Sequence, residues 1–154
     1  EASKPVQRFT THRRTITETD IVNFVNLIGL HEPFFIDMEF IKEQMSEEHG
    51  RRFAPGPMII SVGMGLAATY IWDVLRKTVA GEKVGPIGGL TGVDARVMGA
   101  VYPGDTIRVE GETSIKARTS KGYTMVGIRH IVKNQDGTVA ADFTETVLYM
   151  PPEG

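Results

Sequence analysis

The sequence predicts an α+β fold in which a curved antiparallel sheet wraps around one long central helix. Residues 53–77 carry no charge before Asp73 and follow a helical pattern. After them, four stretches of alternating apolar and polar residues are separated by turn sequences, which is typical of strands in an antiparallel meander. A helix that is apolar on every side has to be buried, and the strands that follow supply the surface that can bury it.

The central segment is also long enough to span a membrane, so its composition has to decide between the two environments. Gly63 and Gly65 favour a helix enclosed by protein, because small residues let another backbone approach closely. Ser61 and Thr69 are polar and would face hydrocarbon in a membrane. Since the rest of the chain has the composition of a soluble domain, we expect the helix to lie inside the fold and the protein to have no membrane partner.

Before the central segment, the sequence predicts a loose end at residues 1–5 and an edge strand over residues 6–16. The second of these stretches combines β-branched residues with charges, which is typical of an exposed strand. Thr17 and Asp20 have the spacing of a capping box, so a helix is expected to begin after Thr17. Apolar residues at helical spacing follow, and Gly29 is suited to end the helix.

A loop over residues 30–36 is expected to separate this helix from a second, shorter one. Asp37 is suited to cap the second helix, and Gly50 is suited to end it. The apolar residues expected on its inner side are Met38, Ile41 and Met45.

Glycine and proline dominate residues 84–92, which we expect to form a loop after the central helix. The chain then alternates with period two between turn sequences, and this pattern predicts four successive strands. The strands are expected over residues 93–98, 107–117, 123–133 and 139–150.

The composition limits the range of functions. At 154 residues the chain is expected to form a single domain, 1–154, with a substantial core. A net charge of −2 with both signs interspersed gives no indication of a nucleic-acid partner. The absence of cysteine excludes disulfides and thiolate chemistry, and no His, Asp and Glu have metal-ligand spacing. The first residues do not resemble a signal peptide, so we expect a cytoplasmic protein.

Four segments, taken in order, resemble the MaoC-like acyl dehydratases, which include the R-specific enoyl-CoA hydratases of the hotdog fold. They are residues 15–29, APGPM at 54–58, VYPGDTIRVEGE at 101–112, and residues 119–140 with their NQDG turn. The resemblance implies a hotdog fold and an acyl-CoA thioester as substrate, with coenzyme A as part of that substrate and no separate cofactor. It also implies a dimer with the acyl site near the interface.

The loop after the first helix departs from this family at two chemically important positions. The family's catalytic loop reads Ser-Gly-Asp-x-Asn-Pro-x-His and is followed two residues later by Asp. Gly29, Pro33 and the trailing Asp37 match this pattern. Leu30 stands where the family has its Asp, and Phe35 stands where it has its His. The expected acid/base pair is therefore missing.

Hydration of an enoyl thioester needs a group that activates water, a group that delivers a proton to the α-carbon, and a donor for the thioester oxygen. His31 and Glu32 lie on the altered loop and have suitable chemistry, so one interpretation is that they replace the lost pair. Gly56, at the start of the central helix, is suited to supply an N–H donor. The other interpretation is that the loop is inactive and that His31 and Glu32 form only a polar turn.

Candidate substrate-binding residues surround the loop and the helix start, and a second set lies near a hairpin. The first set is Gly29, Phe35, Gly56 and Met58, and the second is Lys116, Arg118 and Lys121. The resemblance would place the phosphates of coenzyme A near such a basic cluster, while the alternative is that these charges only solvate the surface. Arg51 and Arg52 are an alternative anion site.

The remaining histidines and large aromatic residues have simpler interpretations. His12 and His49 lie among charged residues and are expected at the surface. His130 lies in a predicted strand between apolar neighbours, where a packed, hydrogen-bonded histidine is expected rather than a catalytic one. Tyr70 and Trp72 are expected in the core.

Three classes of function remain open. The first is a hydratase or dehydratase that interconverts 2-enoyl-CoA and 3-hydroxyacyl-CoA. The second is a non-catalytic hotdog subunit that binds the acyl chain beside a catalytic MaoC-like partner, and the third is a hotdog acyl-CoA thioesterase. Because a single curved sheet leaves an open edge, we expect association in every case, as a homodimer or as a heterodimer with another hotdog chain.

Overall fold

A computed structural model describes residues 6–154, and the loose end predicted at residues 1–5 lies outside this range. Four helices and six strands make up the described chain. The helices are α1 (Glu18–Ile28), α2 (Pro33–Ile36), α3 (Met38–Gln44) and α4 (Gly56–Thr78). The strands are β1 (Gln7–Thr10), β2 (Arg14–Thr15), β3 (Ile87–Val97), β4 (Thr106–Arg118), β5 (Thr124–Lys133) and β6 (Val139–Tyr149).

The strands form one antiparallel sheet, and α4 packs across its inner face. The strand order is β1-β4-β5-β6-β3, with β2 also paired to β4. The predicted α+β architecture of a sheet and one long helix is confirmed. The predicted simple meander is wrong in one respect, because β3 does not pair with β4, the next strand in sequence. β1 occupies the free edge of β4, so β3 pairs instead with β6 at the opposite edge of the sheet.

The glycine-rich stretch predicted as a loop belongs largely to β3. This strand already begins at Ile87, and its register against β6 shifts between Ile87 and Gly89 and again between Leu90 and Gly92. Gly89 has a φ of 118°, which residues with a side chain rarely adopt. The glycines therefore form irregular pairings inside a strand rather than a separate loop.

One side of α4 is buried against the sheet. At Gly63 a Cβ atom would lie 3.0 Å from Val132 and 3.1 Å from Phe143, so the missing side chain allows close approach of helix and sheet. The buried residues of α4 are Met58, Ile59, Gly63, Leu66, Ala67, Val74, Leu75 and Thr78.

The other side of α4 is open, so the expectation that the sheet encloses the whole helix is only partly correct. Trp72 was expected in the core, but its side chain is 63% exposed, and Tyr70 is half-buried. The helix of 23 residues is long and apolar enough to cross a membrane, with a mean hydropathy of 1.6 in its most apolar window. Its buried side nevertheless packs on the sheet of its own chain, as the core helix of a soluble protein does.

The helix ends near the candidate site follow the predicted caps. The Thr17 side chain accepts a hydrogen bond from the Asp20 N–H, and the Asp20 side chain accepts one from the Thr17 N–H, which confirms the capping box. Gly29 ends α1 with a φ of 69°. Asp37 caps α3 by accepting a hydrogen bond from the N–H of Phe40.

Three local predictions in this half of the chain need correction. The predicted loop over residues 30–36 contains the short helix α2, because Pro33 is suited to a first helical turn. The helix α3 ends at Gln44 rather than near Gly50, and Met45 is exposed instead of lying on its inner side. The predicted single strand over residues 6–16 is divided into β1 and β2.

Candidate active site

The loop between α1 and α3 begins with a tight turn that directs Leu30 inward. The N–H of Leu30 donates to the carbonyl of Val25 at 3.0 Å, and the N–H of His31 donates to the carbonyl of Gly29 at 2.9 Å. Leu30 and Phe35 both pack against the main core cluster. Leu30 and Phe35, which stand where the resemblance predicts an acid/base pair, are thus apolar wall residues of the loop.

His31 and Glu32 are exposed on the same loop, but the structure does not join them as a dyad. The Nε2 atom of His31 lies 3.2 Å from the Oδ1 atom of Asn26. Glu32 has an extended backbone and its side chain caps no helix N–H. Among residues 6–154 no hydrogen bond connects the two side chains. Adjacent side chains of an extended segment point apart, and the two groups therefore act separately here.

Arg52 ties this loop to its surroundings. Its Nη1 atom donates to the carbonyl of Phe35 at 3.2 Å, and its Nε atom lies 3.0 Å from a carboxylate oxygen of Glu18. The guanidinium of Arg51 lies 3.7 Å from the centre of the Tyr102 ring. Arg52 is therefore occupied by the fold, and of the alternative anion site only Arg51 presents its charge at the surface.

The start of α4 offers a backbone donor next to the apolar part of this loop. The N–H groups of Met58 and Ile59 both donate to the carbonyl of Pro55, and Pro57 has no N–H. The Gly56 N–H has no acceptor among the described residues. A Cβ at Gly56 would lie 3.1 Å from Val97, so a side chain would crowd the end of β3. The fold therefore leaves the Gly56 N–H able to bind an acceptor.

Met58 and Phe35 differ in their access to a ligand. Met58 is 2% exposed and belongs to the core cluster against which Leu30 and Phe35 pack. In this conformation Met58 supports the wall from behind, and its role in substrate binding stays a prediction. Phe35 is only partly buried, and its ring centre lies 5.4 Å from that of Phe53. Gly29 is exposed and shapes the turn.

The three residues of the predicted basic cluster are all exposed on or beside the β4–β5 hairpin, but they are not equivalent. Arg118 forms an ion pair with Glu82. The methylene groups of Lys116 cover Gly127, where a Cβ would lie 2.5 Å from the lysine Cε. Lys121 lies in the turn between the strands. In the described chain no hydrogen bond or ion pair joins these residues to the loop of His31.

A second His–Glu pair, which no sequence motif indicates, lies inside the sheet. His130 is fully buried and its Nδ1–H donates to the carbonyl of Ile128 at 3.0 Å. Its Nε2 atom lies 3.4 Å from a carboxylate oxygen of Glu145, without the alignment of a good hydrogen bond. Burial lowers the pKa of His130 to about 4 and raises the pKa of Glu145. Both shifts favour uncharged side chains.

The alternation of inward-facing and outward-facing residues along β5 and β6 places the two members of this pair on one face of the sheet. Ile128 lies opposite Glu145 in the register, and His130 lies opposite Phe143, so all four face the same side of the sheet. The rings of His130 and Phe143 stack with centres 4.3 Å apart. The predicted packed histidine is correct, but the carboxylate beside it could not be assigned without the strand register. Within residues 6–154 no three His, Asp or Glu side chains are grouped to hold a metal ion.

The fold of this chain matches solved structures of hotdog proteins. A monoamine oxidase regulatory protein from Archaeoglobus fulgidus is 27% identical, with 95% of this chain and 90% of that chain covered and a TM-score of 0.73. A MaoC-like dehydratase from Rhodospirillum rubrum is 21% identical, with 96% and 93% covered and a TM-score of 0.66. An (R)-hydratase from A. caviae involved in PHA biosynthesis is 16% identical, with 98% of each chain covered and a TM-score of 0.58.

Two further matched structures are complexes of Mycobacterium tuberculosis proteins. They are ChsH1-ChsH2, at 18% identity with 97% and 98% covered and a TM-score of 0.56, and HadBC, a 3R-hydroxyacyl-ACP dehydratase, at 15% identity with 92% and 93% covered and a TM-score of 0.57. No family model matches the chain, and no curated protein matches its sequence significantly. The chain thus shares the hotdog fold of the MaoC-like dehydratases and R-hydratases, as the sequence motifs predicted.

Proposed function

Because the chain shares this fold and the motif order of the MaoC-like proteins, we propose that it is an acyl-thioester hydratase or dehydratase that interconverts 2-enoyl-CoA and 3-hydroxyacyl-CoA. The observation that carries the proposal is the arrangement of the altered loop. Leu30 and Phe35 turn toward the core, while His31 and Glu32 remain exposed beside them. Proton-transfer groups are thereby retained on the loop that resembles the catalytic loop of the family.

In the proposed reaction the two exposed groups divide the proton transfers. As the oxygen of water bonds to the β-carbon, the group acting as base accepts a proton from that water. The group acting as acid gives a proton to the α-carbon, so the enoyl double bond becomes a single bond and the charges balance. Hydration and dehydration are the same reaction in opposite directions, so the acid and the base exchange roles between them.

The Gly56 N–H is the proposed donor to the thioester oxygen. Negative charge grows on this oxygen while the β-carbon is attacked, and a donor at the N-terminal end of a helix stabilises that charge. Pro57 contributes no N–H, so Gly56 carries this role alone within the first turn. The partly buried ring of Phe35 is suited to contact the acyl chain, since it forms an apolar wall beside the exposed loop.

Coenzyme A is proposed to bind with its phosphates near Lys116 and Lys121. Arg118 contributes less to this site, because its ion pair with Glu82 already uses its charge. If the proposal is correct, Lys116→Ala and Lys121→Ala should raise the KM for acyl-CoA several-fold and leave kcat unchanged. Lys42→Ala is a matched control, because Lys42 is exposed and pairs with Glu39 on its own helix.

The first experiment is to follow the loss of enoyl-thioester absorbance with short, medium and branched 2-enoyl-CoAs. His31→Ala and Glu32→Ala should each lower kcat/KM by about 10²-fold or more, as expected for loss of a proton-transfer group. His49→Ala and Glu47→Ala are matched controls, since both residues are exposed and lie outside the loop. Turnover that is equal in the loop variants and the controls would overturn the assignment of these two residues.

A second candidate function is supported by the apolar character of the loop. Leu30 and Phe35 pack on the core and cannot transfer protons, which fits a subunit that binds the acyl chain without converting it. In that case acyl-CoA would bind measurably by calorimetry but no enoyl-CoA would be hydrated until a catalytic hotdog subunit was added. Release of free thiol from acyl-CoA would instead identify a thioesterase.

A further inference from the structure

One arginine joins three segments on which the proposed reaction depends. Arg52 lies four residues before Gly56, in the segment that leads into α4. Its Nε atom lies 3.0 Å from a carboxylate oxygen of Glu18, in the first turn of α1, and its Nη1 atom donates to the carbonyl of Phe35 at 3.2 Å. One guanidinium group therefore holds the start of α1, the altered loop and the approach to α4 together.

The carbonyl of Phe35 depends on this contact for a hydrogen bond to the protein. It lies near the C-terminal end of the one-turn helix α2, where carbonyl groups have no partner inside the helix. The carbonyl of Pro33 accepts the N–H of Asp37, whereas no backbone N–H within residues 6–154 donates to the carbonyl of Phe35. Arginine side chains are suited to such a position, because they bring hydrogen-bond donors and a positive charge to the end of a helix.

Arg52 is the polar link between the altered loop and the start of α4. Among residues 6–154 no other hydrogen bond joins residues 30–36 to residues 50–56. The ring of Phe53 adds an apolar contact, since its centre lies 5.4 Å from that of Phe35. The Arg52 side chain is only 18% exposed, so its charge-assisted hydrogen bonds are shielded from water. Two consecutive residues thus hold the backbone and the ring of Phe35.

The proposed reaction needs groups from two different segments at a fixed separation. The Gly56 N–H is the proposed donor to the thioester oxygen, while His31 and Glu32 on the altered loop transfer the protons. In such an arrangement a misplacement of about 1 Å costs roughly 10²-fold in rate. We propose that Arg52, oriented by Glu18, is a positioning residue that fixes the altered loop relative to the Gly56 N–H. It touches no reacting atom, and this inference rests on the proposed function.

The shape of the guanidinium group explains why this position requires arginine. Its donors are fixed in one plane, so two acceptors that bind it are held in a defined position relative to each other. A lysine presents a single ammonium group on a flexible chain, which can approach Glu18 or the carbonyl of Phe35 without fixing one against the other. Arg52→Lys should therefore keep the charge but lose much of the positioning.

Steady-state kinetics with a 2-enoyl-CoA test this role. Arg52→Gln should lower kcat about tenfold or more and change KM less than about threefold, because the loop is displaced while no group that contacts the substrate is removed. Arg52→Lys should recover part of the lost kcat. Arg14→Gln is the matched control and should retain wild-type kinetics. Arg14 forms a 3.0 Å ion pair with Asp20 in the same first turn of α1 and, within the described chain, has no hydrogen bond to the altered loop.

Hydrogen exchange of the altered loop gives a readout that does not require turnover. The amides of residues 30–36, followed by mass spectrometry, should exchange at least about tenfold faster in Arg52→Gln than in the wild-type protein, because the loop opens more often. Arg14→Gln should leave this exchange unchanged. Circular dichroism checks that each variant is folded, and Arg52→Lys carries the same comparison if Arg52→Gln does not fold.

The two measurements separate the role of Arg52 from the proposed function. A wild-type protein that hydrates no enoyl-CoA would overturn the proposed function and this role with it, even if the loop exchanges faster in Arg52→Gln. In an active protein, three results would each overturn the role of Arg52 alone. They are a kcat of Arg52→Gln equal to that of Arg14→Gln, a loss confined to KM, and an unchanged exchange of the loop.

Discussion

The molecule contains two His–Glu pairs in opposite environments. His31 and Glu32 are adjacent in sequence and exposed on the loop, yet no hydrogen bond joins them. His130 and Glu145 are fifteen residues apart, yet their side chains lie 3.4 Å from each other in the interior. The same two residue types are thus exposed to solvent in one place and enclosed with each other in the other.

This difference shows that surroundings, rather than residue type, decide what such a pair does. Water can solvate the charged forms of the exposed pair at little cost. The interior pair is shielded from solvent by burial, which penalises a charge on either side chain. We therefore expect the loop pair to affect turnover and the interior pair to affect stability, and the following predictions test that division from the largest expected effect to the smallest.

Replacing the histidine of each pair should give the largest difference in stability between the two pairs. His130→Ala should lower the free energy of unfolding by about 3 kcal/mol or more, because it leaves a cavity and an unpartnered buried carboxyl group. His31→Ala should change the same quantity by less than about 0.5 kcal/mol, since its side chain is exposed. Urea unfolding at pH 7 measures both. Equal small changes in the two variants would contradict the structural role of His130.

The pH dependence of stability should isolate the buried histidine. The unfolded chain binds a proton at an ordinary histidine pKa of about 6.5, whereas His130 in the folded chain has a pKa of about 4. Acid therefore favours unfolding between these values. The test compares the single variant Glu145→Gln with the double variant His130→Gln/Glu145→Gln. Between pH 6.5 and pH 4, the free energy of unfolding of the single variant should fall by roughly 3 kcal/mol more than that of the double variant. Parallel pH profiles of the two variants would show that burial does not depress the pKa of His130.

The wild-type protein should lose less free energy of unfolding over the same pH range than the Glu145→Gln variant does. The raised pKa of Glu145 means that the folded chain takes up this proton at higher pH than the unfolded chain does. Protonation of Glu145 therefore favours the folded state as the pH falls and opposes the effect of His130. Chemical unfolding of the wild-type protein and of Glu145→Gln, at matched pH values, measures the loss of stability in each.

Displacing the Phe9 ring, which packs against His130, should have a moderate effect on the free energy of unfolding. The Phe9 ring meets His130 edge-on with centres 6.4 Å apart, and the same ring occupies the space that a Cβ at Gly111 would need. Gly111→Ala should displace this ring, cost about 1–3 kcal/mol and reduce the acid sensitivity by admitting water. Gly65→Ala is the control, because nothing lies within 4 Å of its Cβ position. If the pH dependence of stability is unchanged in Gly111→Ala, Phe9 does not shield His130 from water.

Loss of the contact to the loop histidine should have the smallest effect on stability. Asn26→Ala removes the group that lies 3.2 Å from the Nε2 atom of His31. The free energy of unfolding should change by less than about 0.5 kcal/mol, because both side chains are exposed. If His31 transfers protons, kcat should change several-fold while KM stays constant. Asn23→Ala, an exposed residue of the same helix, serves as the control for kinetics.

Local signals in the sequence were sufficient for much of the fold. The capping box at Thr17, the cap at Asp37 and the end of α1 at Gly29 each depend on contacts within a few residues. The position of β3 could not be obtained in this way, because its pairing with β6 joins residues about fifty positions apart. The glycines of this stretch also favour a loop until a neighbouring strand orders them.

The geometry of the candidate site could not be predicted from the sequence, and its chemistry stays a prediction. The resemblance predicts that Leu30 and Phe35 stand where the family has an acid/base pair, and the structure places both against the core. The exposure of Trp72 was unpredictable, because a uniformly apolar helix contains no signal for which side the sheet leaves open. The contact between His130 and Glu145 required the register of β5 and β6, which no short segment specifies.

The strand order also has a consequence for synthesis of the protein. β3 leaves the ribosome before its partner strand β6, because β4 and β5 lie between them in the sequence. Until residues 139–149 emerge, both edges of β3 and the outer edge of β5 are unpaired. Such edges expose nascent chains to aggregation, and pairings distant in sequence form slowly. Synthesis of β6 is therefore the step that joins β3 to the rest of the sheet.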